Sequence, residues 1–147
     1  MGARRKGREL AVQALYQIDV AGSGGPDSLR VFFERAEAGQ RAKDFAADLL
    51  AGVEGQRAHI DELIAAAAEN WRIERLSTVD LNVLRVATWE LLQQAVPTSV
   101  VLDEAIEIAR RFGTSESATF VNGVLDEIAA RLGVKEAPSD RNVRDDG

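Results

Sequence analysis

The sequence predicts an all-α protein, a seven-helix bundle, and three observations carry that expectation. Apolar residues recur at helical spacing from one end to the other, while alternating strand patterns are nearly absent. The periodic stretches are divided by short glycine- or proline-bearing breaks of the kind that join neighbouring helices. A chain of 147 residues without a single cysteine must stabilise itself through a buried apolar core, and that length is sufficient. The absence of cysteine also excludes a disulfide scaffold, thiol redox chemistry and cysteine-based zinc sites.

The first helix is expected from about Arg5 to Val20, stopped by Gly22-Ser23-Gly24-Gly25. At about 100° per residue, Leu10, Ala11, Ala14, Leu15 and Ile18 share one inward arc. Pro26-Asp27-Ser28 opens a second helix with Leu29, Phe32, Phe33 and Ala36 on its inner face and Gly39 after it. Phe45, Leu49, Leu50 and Val53 mark a third, with Gly52 and Gly55 at its end. Ile60, Leu63, Ile64 and Ala67 give a fourth. Ser77, followed three residues later by Asp80, forms a shortened capping box for a fifth. Leu81, Leu84, Ala87, Leu91 and Leu92, joined by Val83, Val86 and Trp89, make that helix apolar nearly all round. It should be the central, most buried element.

Pro97 separates it from an amphipathic sixth helix. There Leu102, Ala105, Ile106, Ala109 and Phe112 are expected inward, and Asp103, Glu104, Glu107, Arg110 and Arg111 outward, with Gly113 as the C-terminal glycine. The last helix buries Val121, Val124, Leu125, Ile128 and Leu132 and ends at Gly133. Residues 134–147 offer almost nothing to bury and are expected to be a disordered acidic tail. The folded unit is then residues 1–133, with a basic arm at 1–8.

The net charge is −6, but it is unevenly placed. Arg4, Arg5, Lys6 and Arg8 precede the first acid, Glu9, so an acidic body carries a basic arm suited to local contact with an anionic partner. The longest apolar runs, such as Ile64 to Ala68, are too short to cross a bilayer, and no cleavable signal pattern opens the chain. A cytoplasmic location is the expectation.

No constellation assembles catalytic chemistry. Gly22-Ser23-Gly24-Gly25 lacks the Gly-Lys-Ser/Thr ending of a phosphate loop and follows a helix rather than a strand. His59 is the only histidine and has no cysteine or second histidine with which to share a metal. Glu107 and Arg111 stand at i,i+4 in the favourable order, which reads as a solvated ion-pair face. The serines lack a nucleophile elbow. A non-enzymatic protein without cofactor or metal is expected.

The first helix says more. Arg5, Arg8, Val12 and Tyr16 fall on one face, where arginines meet phosphate and a tyrosine ring receives an unstacked base. The alternative is that Tyr16 packs against a neighbouring helix. Phe120, at the edge of its apolar stripe, is either rim core or a second stacking surface. Gly123 in mid-helix costs about 1 kcal/mol relative to alanine, which points to close approach by another backbone or a ligand.

Three segments together resemble the NusB family of transcription antitermination proteins. They are Arg4-Arg5-Lys6-Gly7-Arg8-Glu9-Leu10-Ala11-Val12-Gln13-Ala14-Leu15-Tyr16, Asp103-Glu104-Ala105-Ile106-Glu107-Ile108-Ala109 with Phe112-Gly113, and Phe120-Val121-Asn122-Gly123-Val124-Leu125-Asp126. The resemblance implies two three-helix subdomains packed crosswise, plus one extra helix in the N-terminal half. It implies binding of the boxA element of nascent RNA jointly with NusE, a ribosomal protein of the small subunit. That assembly would join the RNA polymerase elongation complex with other Nus factors and sustain transcription of ribosomal RNA operons. Arg4, Arg5, Lys6, Arg8, Tyr16, Glu116 and Phe120 would lie in or beside the RNA surface, with Asp80 an acidic contact. Glu74, Asp103 and Glu107 would meet the basic surface of NusE across the fourth to sixth helices.

The chain departs from the pattern at Gly7, where a looser arm is expected, and at Ala118 and Thr119, where basic or polar residues often precede the Phe. The resemblance also allows a homodimer that hides the arginine-rich face. A related helical domain precedes the catalytic domain of ribosomal RNA cytosine methyltransferases, but that reading requires a glycine-rich cofactor loop that this sequence does not contain. If all four basic residues of the arm meet phosphates, the affinity should fall with salt with a log–log slope of roughly −2.8. Deleting residues 1–8 is expected to spare the fold, because the arm should bury little.

Overall fold

The computed structural model describes residues 2–22, 26–69 and 76–135. Among them are seven helices and no strand: α1 (Ala3–Ala21), α2 (Pro26–Arg35), α3 (Gln40–Gly55), α4 (Arg57–Ala67), α5 (Thr78–Gln93), α6 (Thr98–Phe112) and α7 (Ser117–Leu132). Helix α1 packs on α3 and α5, α6 and α7 pack on α5 and on each other, and α4 bridges α5 and α7. No helix among the described residues is long and apolar enough to cross a membrane.

The central position of α5 follows from its sequence. Every residue from Asp80 to Thr88, and Glu90 and Leu91 after them, is buried. Its start is fixed as the capping box requires, because Ser77 Oγ accepts the backbone N–H of Asp80 at 3.0 Å. Its end is less ordinary: Gln94, not a glycine, adopts the left-handed conformation at φ 54°.

Two glycines owe their place to packing rather than to helix ends. Gly52 lies inside α3, where a Cβ would stand 2.1 Å from the ring of Trp89. The notch it leaves lets the indole of α5 sit against the α3 backbone. Gly7 lies inside α1, where a Cβ would meet Phe45 Cδ2 at 2.8 Å and the Ala42 carbonyl oxygen at 2.9 Å. The expected looser arm is therefore replaced by a tight helix crossing: α1 is helical from Ala3, and Gly7 and Arg8 are buried. Removal of residues 1–8 would uncover this seam, so the arm is part of the fold.

Two further expectations shift. On α6 the fully buried set is Ser99, Val101, Leu102, Ala105, Ile108 and Ala109, while Ile106 and Phe112 are half-buried. Its inward arc is rotated and widened because α5 and α7 both cover it. Gly133 caps α7 in the left-handed conformation at φ 73°, as its position foretold, but order continues past it. The Val134 carbonyl accepts from Thr98 Oγ1 at 2.7 Å, and Lys135 pairs with Asp126 at 2.9 Å. Val134 and Lys135, the first two residues of the expected tail, thus hold contacts to the helices. Residues 136–147, the remainder of the expected disordered tail, lie outside the described residues.

A polar cluster ties three helices together within this apolar frame. Arg85 donates to Asp61 through Nε and Nη2 at 2.8 and 3.0 Å, and to Asp19 through Nη1 at 2.8 Å. Asn82 and Arg57 also donate to Asp19, at 3.0 and 2.7 Å. Burial, the largest single influence on the Asp19 carboxyl, pushes its pKa upward. The hydrogen bonds from Asn82 and Arg57 and the charges of Arg85 and Arg57 outweigh it and hold the pKa below the usual carboxylate value. A depressed carboxylate stabilises the fold above its unfolded pKa, and that contribution disappears as pH falls through the folded value. Urea unfolding at a series of pH values should therefore show stability declining below about pH 4 in the parent protein. Asp19→Asn should be about 2 kcal/mol less stable at neutral pH and should decline less steeply in acid.

Candidate nucleic-acid interface

The basic end of α1 has two characters, set by which way the helix turns each residue. Arg8 faces α5, where its Nε and Nη2 donate to the two carboxylate oxygens of Glu90 at 2.6 and 2.9 Å. Both side chains are 6% exposed. Arg8 therefore belongs to the interior, which corrects its assignment to the RNA surface. The reason is electrostatic: Glu90 is an acid on an otherwise enclosed helix, and it must have a cation beside it.

Arg5 lies one turn earlier, 39% exposed, and donates through Nε and Nη2 to Glu104 of α6 at 2.9 and 2.6 Å. The hydrogen bond from Arg5 comes first among the influences that hold the Glu104 carboxyl below its ordinary pKa, and the same bond raises that of Arg5. Arg4 is exposed, and Lys6 half-buried; neither has a carboxylate partner among the described residues. Arg4 instead lies over the Phe45 ring at 5.9 Å, with Arg8 over the same ring at 5.4 Å.

Tyr16 is 42% exposed, one of two large apolar side chains so exposed among the described residues, although Val12, on the same sequence-level face, is buried. The packing alternative thus fails for Tyr16. It occupies the stretch of α1 between Glu9, which accepts from Arg111 at the end of α6, and Asp19, which accepts from Asn82 near the start of α5. Asp80, Glu116 and Phe120 line one hollow of about 130 Å³, together with Ser77, Thr114 and Ser117. Asp80 Oδ1 is buried there without a hydrogen-bond partner among the described residues. Gly113, in an extended conformation rather than a left-handed one, gives Ser117 its room: a Cβ at 113 would stand 2.3 Å from Ser117 Oγ.

Phe120 is half-buried and also borders a larger groove of about 770 Å³ between the end of α4 and α7. Gly123 opens onto this groove, and among the described residues no atom beyond its own stretch of helix comes within 4 Å of the Cβ it lacks. Close approach by another backbone among the described residues is therefore not its reason.

The acidic residues expected to meet a protein partner divide as well. Asp103 and Glu107 are exposed on α6, whereas Glu74 lies outside the described residues. Glu107 pairs with Arg110 rather than Arg111, because Arg111 reaches across to Glu9 at 2.9 Å. The expected i,i+4 pair is thus replaced by a tie between α6 and α1. Glu9, Glu90 and Glu104, which neutralise three arginines around this face, were not singled out from the sequence. Glu90 had a visible signal, being a charge on a helix apolar nearly all round.

This arrangement defines a small helical protein with exposed cations and an exposed ring on its first helix and exposed carboxylates on its sixth. Residues 5–130 match the profile of the NusB family. The chain is 45% identical over 134 residues to the transcription antitermination protein NusB of Sorangium cellulosum, an alignment covering 90% of this chain and 96% of that one. It superimposes on T. maritima NusB with a TM-score of 0.77 at 38% identity, covering 94% of this chain and 95% of that one. A structure of antitermination factors NusB and NusE in complex with dsRNA is also similar, with a TM-score of 0.78, 26% identity and coverage of 89% and 98%. The chain belongs to the NusB family, a family of transcription antitermination factors and not of enzymes.

The two characters of the basic helix end are separable by mutation. Arg8→Ala should lower unfolding stability by about 3–5 kcal/mol, because it leaves Glu90 buried and unpaired. Arg4→Ala should change it by no more than about 0.5 kcal/mol. Equilibrium urea denaturation of the two variants beside the parent checks both values.

Proposed function

We propose that this protein binds single-stranded boxA-type RNA together with NusE and promotes processive transcription of ribosomal RNA operons. It does so in the cytoplasm, within the RNA polymerase elongation complex and alongside other Nus factors. The observation that carries this reading is the exposed ring of Tyr16 on the helix whose start bears Arg4 and Lys6, which have no carboxylate partner among the described residues. Cations that contact phosphates position a strand, and a flat exposed ring receives one of its bases. Asp80, Glu116 and Phe120 extend the surface around their shared hollow, where carboxylates accept hydrogen bonds from base amino groups. The similar NusB–NusE–dsRNA structure supports both partners. The exposed acids Asp103 and Glu107 of α6 form the side that faces NusE.

A stacked base is worth about 1–3 kcal/mol, so Tyr16→Ala should weaken RNA binding roughly ten- to a hundredfold, while Tyr16→Phe costs little. Titration of the two variants with a boxA oligonucleotide, alongside their melting curves, tests this. A lowered melting temperature with unchanged affinity would remove Tyr16 from the surface. Glu107→Lys should weaken NusE binding measured by calorimetry while leaving RNA binding by the isolated protein unchanged. Equal loss of both would contradict the separation of the two faces.

A further inference from the structure

The arginines of this face differ in what neutralises them, and the difference bears on how tightly the protein holds an RNA backbone. Arg8 is enclosed with Glu90, and its Nη1 stands 3.9 Å from Glu104. Glu104 is 14% exposed, so it is not a mobile surface acid; Arg8 flanks it on one side while Arg5 grips it through two hydrogen bonds on the other. Arg5 itself is more than a third exposed, within reach of a ligand, yet its Nε and Nη2 are spent on a carboxylate of the same charge as a phosphate. Exposure without net charge is an unexpected state for a residue in the basic opening motif.

We propose that Glu104 limits how strongly the protein holds an RNA backbone: it occupies Arg5 as a resident anion and withholds that arginine from the phosphates. This rests on the RNA-binding reading above. Phosphate contacts fix a strand without reading it, so each available arginine raises affinity for every sequence alike. Neutralising Arg5 lowers that indiscriminate part of the affinity and leaves the base contacts as they are. Arg4 and Lys6 then supply the phosphate contacts of the arm, and the salt dependence should be shallower than four cations would give. Arg8 stands beside Glu104 whether or not Arg5 is present, so loss of Arg5 does not leave the acid without a cation.

The experiment compares the parent protein with Glu104→Gln, Arg5→Gln and the double variant. Binding of a short single-stranded boxA RNA and of a scrambled strand of equal length is measured across a salt series, and thermal melting is followed on the same samples. Glu104→Gln keeps the shape and removes the charge. It should bind both strands about two- to tenfold more tightly, by the same factor for each. The log–log salt slope should steepen by about 0.7, from roughly −1.4 to roughly −2.1. Arg5→Gln alone should change affinity less than about twofold, whereas in the Glu104→Gln background it should abolish the gain. Melting curves should report folded protein in every case, since neither change leaves a buried charge without a partner. Unchanged or weaker binding by Glu104→Gln, or a large loss from Arg5→Gln in the parent, would overturn the inference while leaving RNA binding intact. Failure of the parent protein to bind either strand would overturn the RNA-binding reading and this inference with it.

Discussion

The structure depends on how α5 keeps charges inside the protein. A helix enclosed on nearly every side carries both Arg85 and Glu90 as buried residues, and α1 answers each of them. Asp19 accepts from Arg85 near one end of α1, and Arg8 donates to Glu90 near the other. The two ties have opposite polarity and stand eleven residues apart on α1, about 16 Å along the helix. Such pairs add little net stability against well-packed apolar residues, but breaking one leaves an uncompensated charge in the interior. They therefore act mainly on geometry. A slide or a half-turn of α1 against α5 would leave Glu90 without its cation and strip Arg85 of one of its two carboxylates, so one register and one rotation are selected.

That rotation decides which residues of α1 reach solvent. With Arg8 and Asp19 turned to α5 and Gly7 seated against α3, Arg4 and Tyr16 are left outward. The interior pairs and the outward face are two consequences of a single constraint. Burial of one arginine from the basic cluster is what orients its neighbours, and the ties from Arg111 to Glu9 and from Arg5 to Glu104 fasten α6 to the same edge. The hollow formed by Asp80, Glu116 and Phe120 is likewise a product of where helices meet, since its walls come from the start of α5 and the turn that opens α7.

The helices, their order and the centrality of α5 were legible because apolar periodicity and cap residues are local signals. Ser77 before Asp80, Gly22 after α1 and Gly133 after α7 could each be read from a few neighbouring positions. The roles of Gly7 and Gly52 were not legible, because each depends on a ring from a helix far away in sequence, Phe45 in one case and Trp89 in the other. The same limit applied to the site. A cluster of arginines announces positive charge, but whether a given one faces water or a carboxylate is a tertiary fact: 82 residues separate Arg8 from Glu90, and 99 separate Arg5 from Glu104. Tyr16 was left open between surface and core for the same reason, and its exposure was settled only by the turn of α1.

On the proposed reading, α1 presents Arg4 and Tyr16 to RNA while Arg8 stays locked to Glu90. Side-chain nuclear magnetic resonance of the arginine Nε–H groups and the tyrosine ring during titration with boxA RNA tests it most directly. The account predicts that the Arg4 and Tyr16 signals shift in step with binding while the Arg8 Nε–H keeps its position and its slow exchange with water. An Arg8 signal that shifts with RNA or begins to exchange rapidly, beside an unperturbed Tyr16, would contradict it.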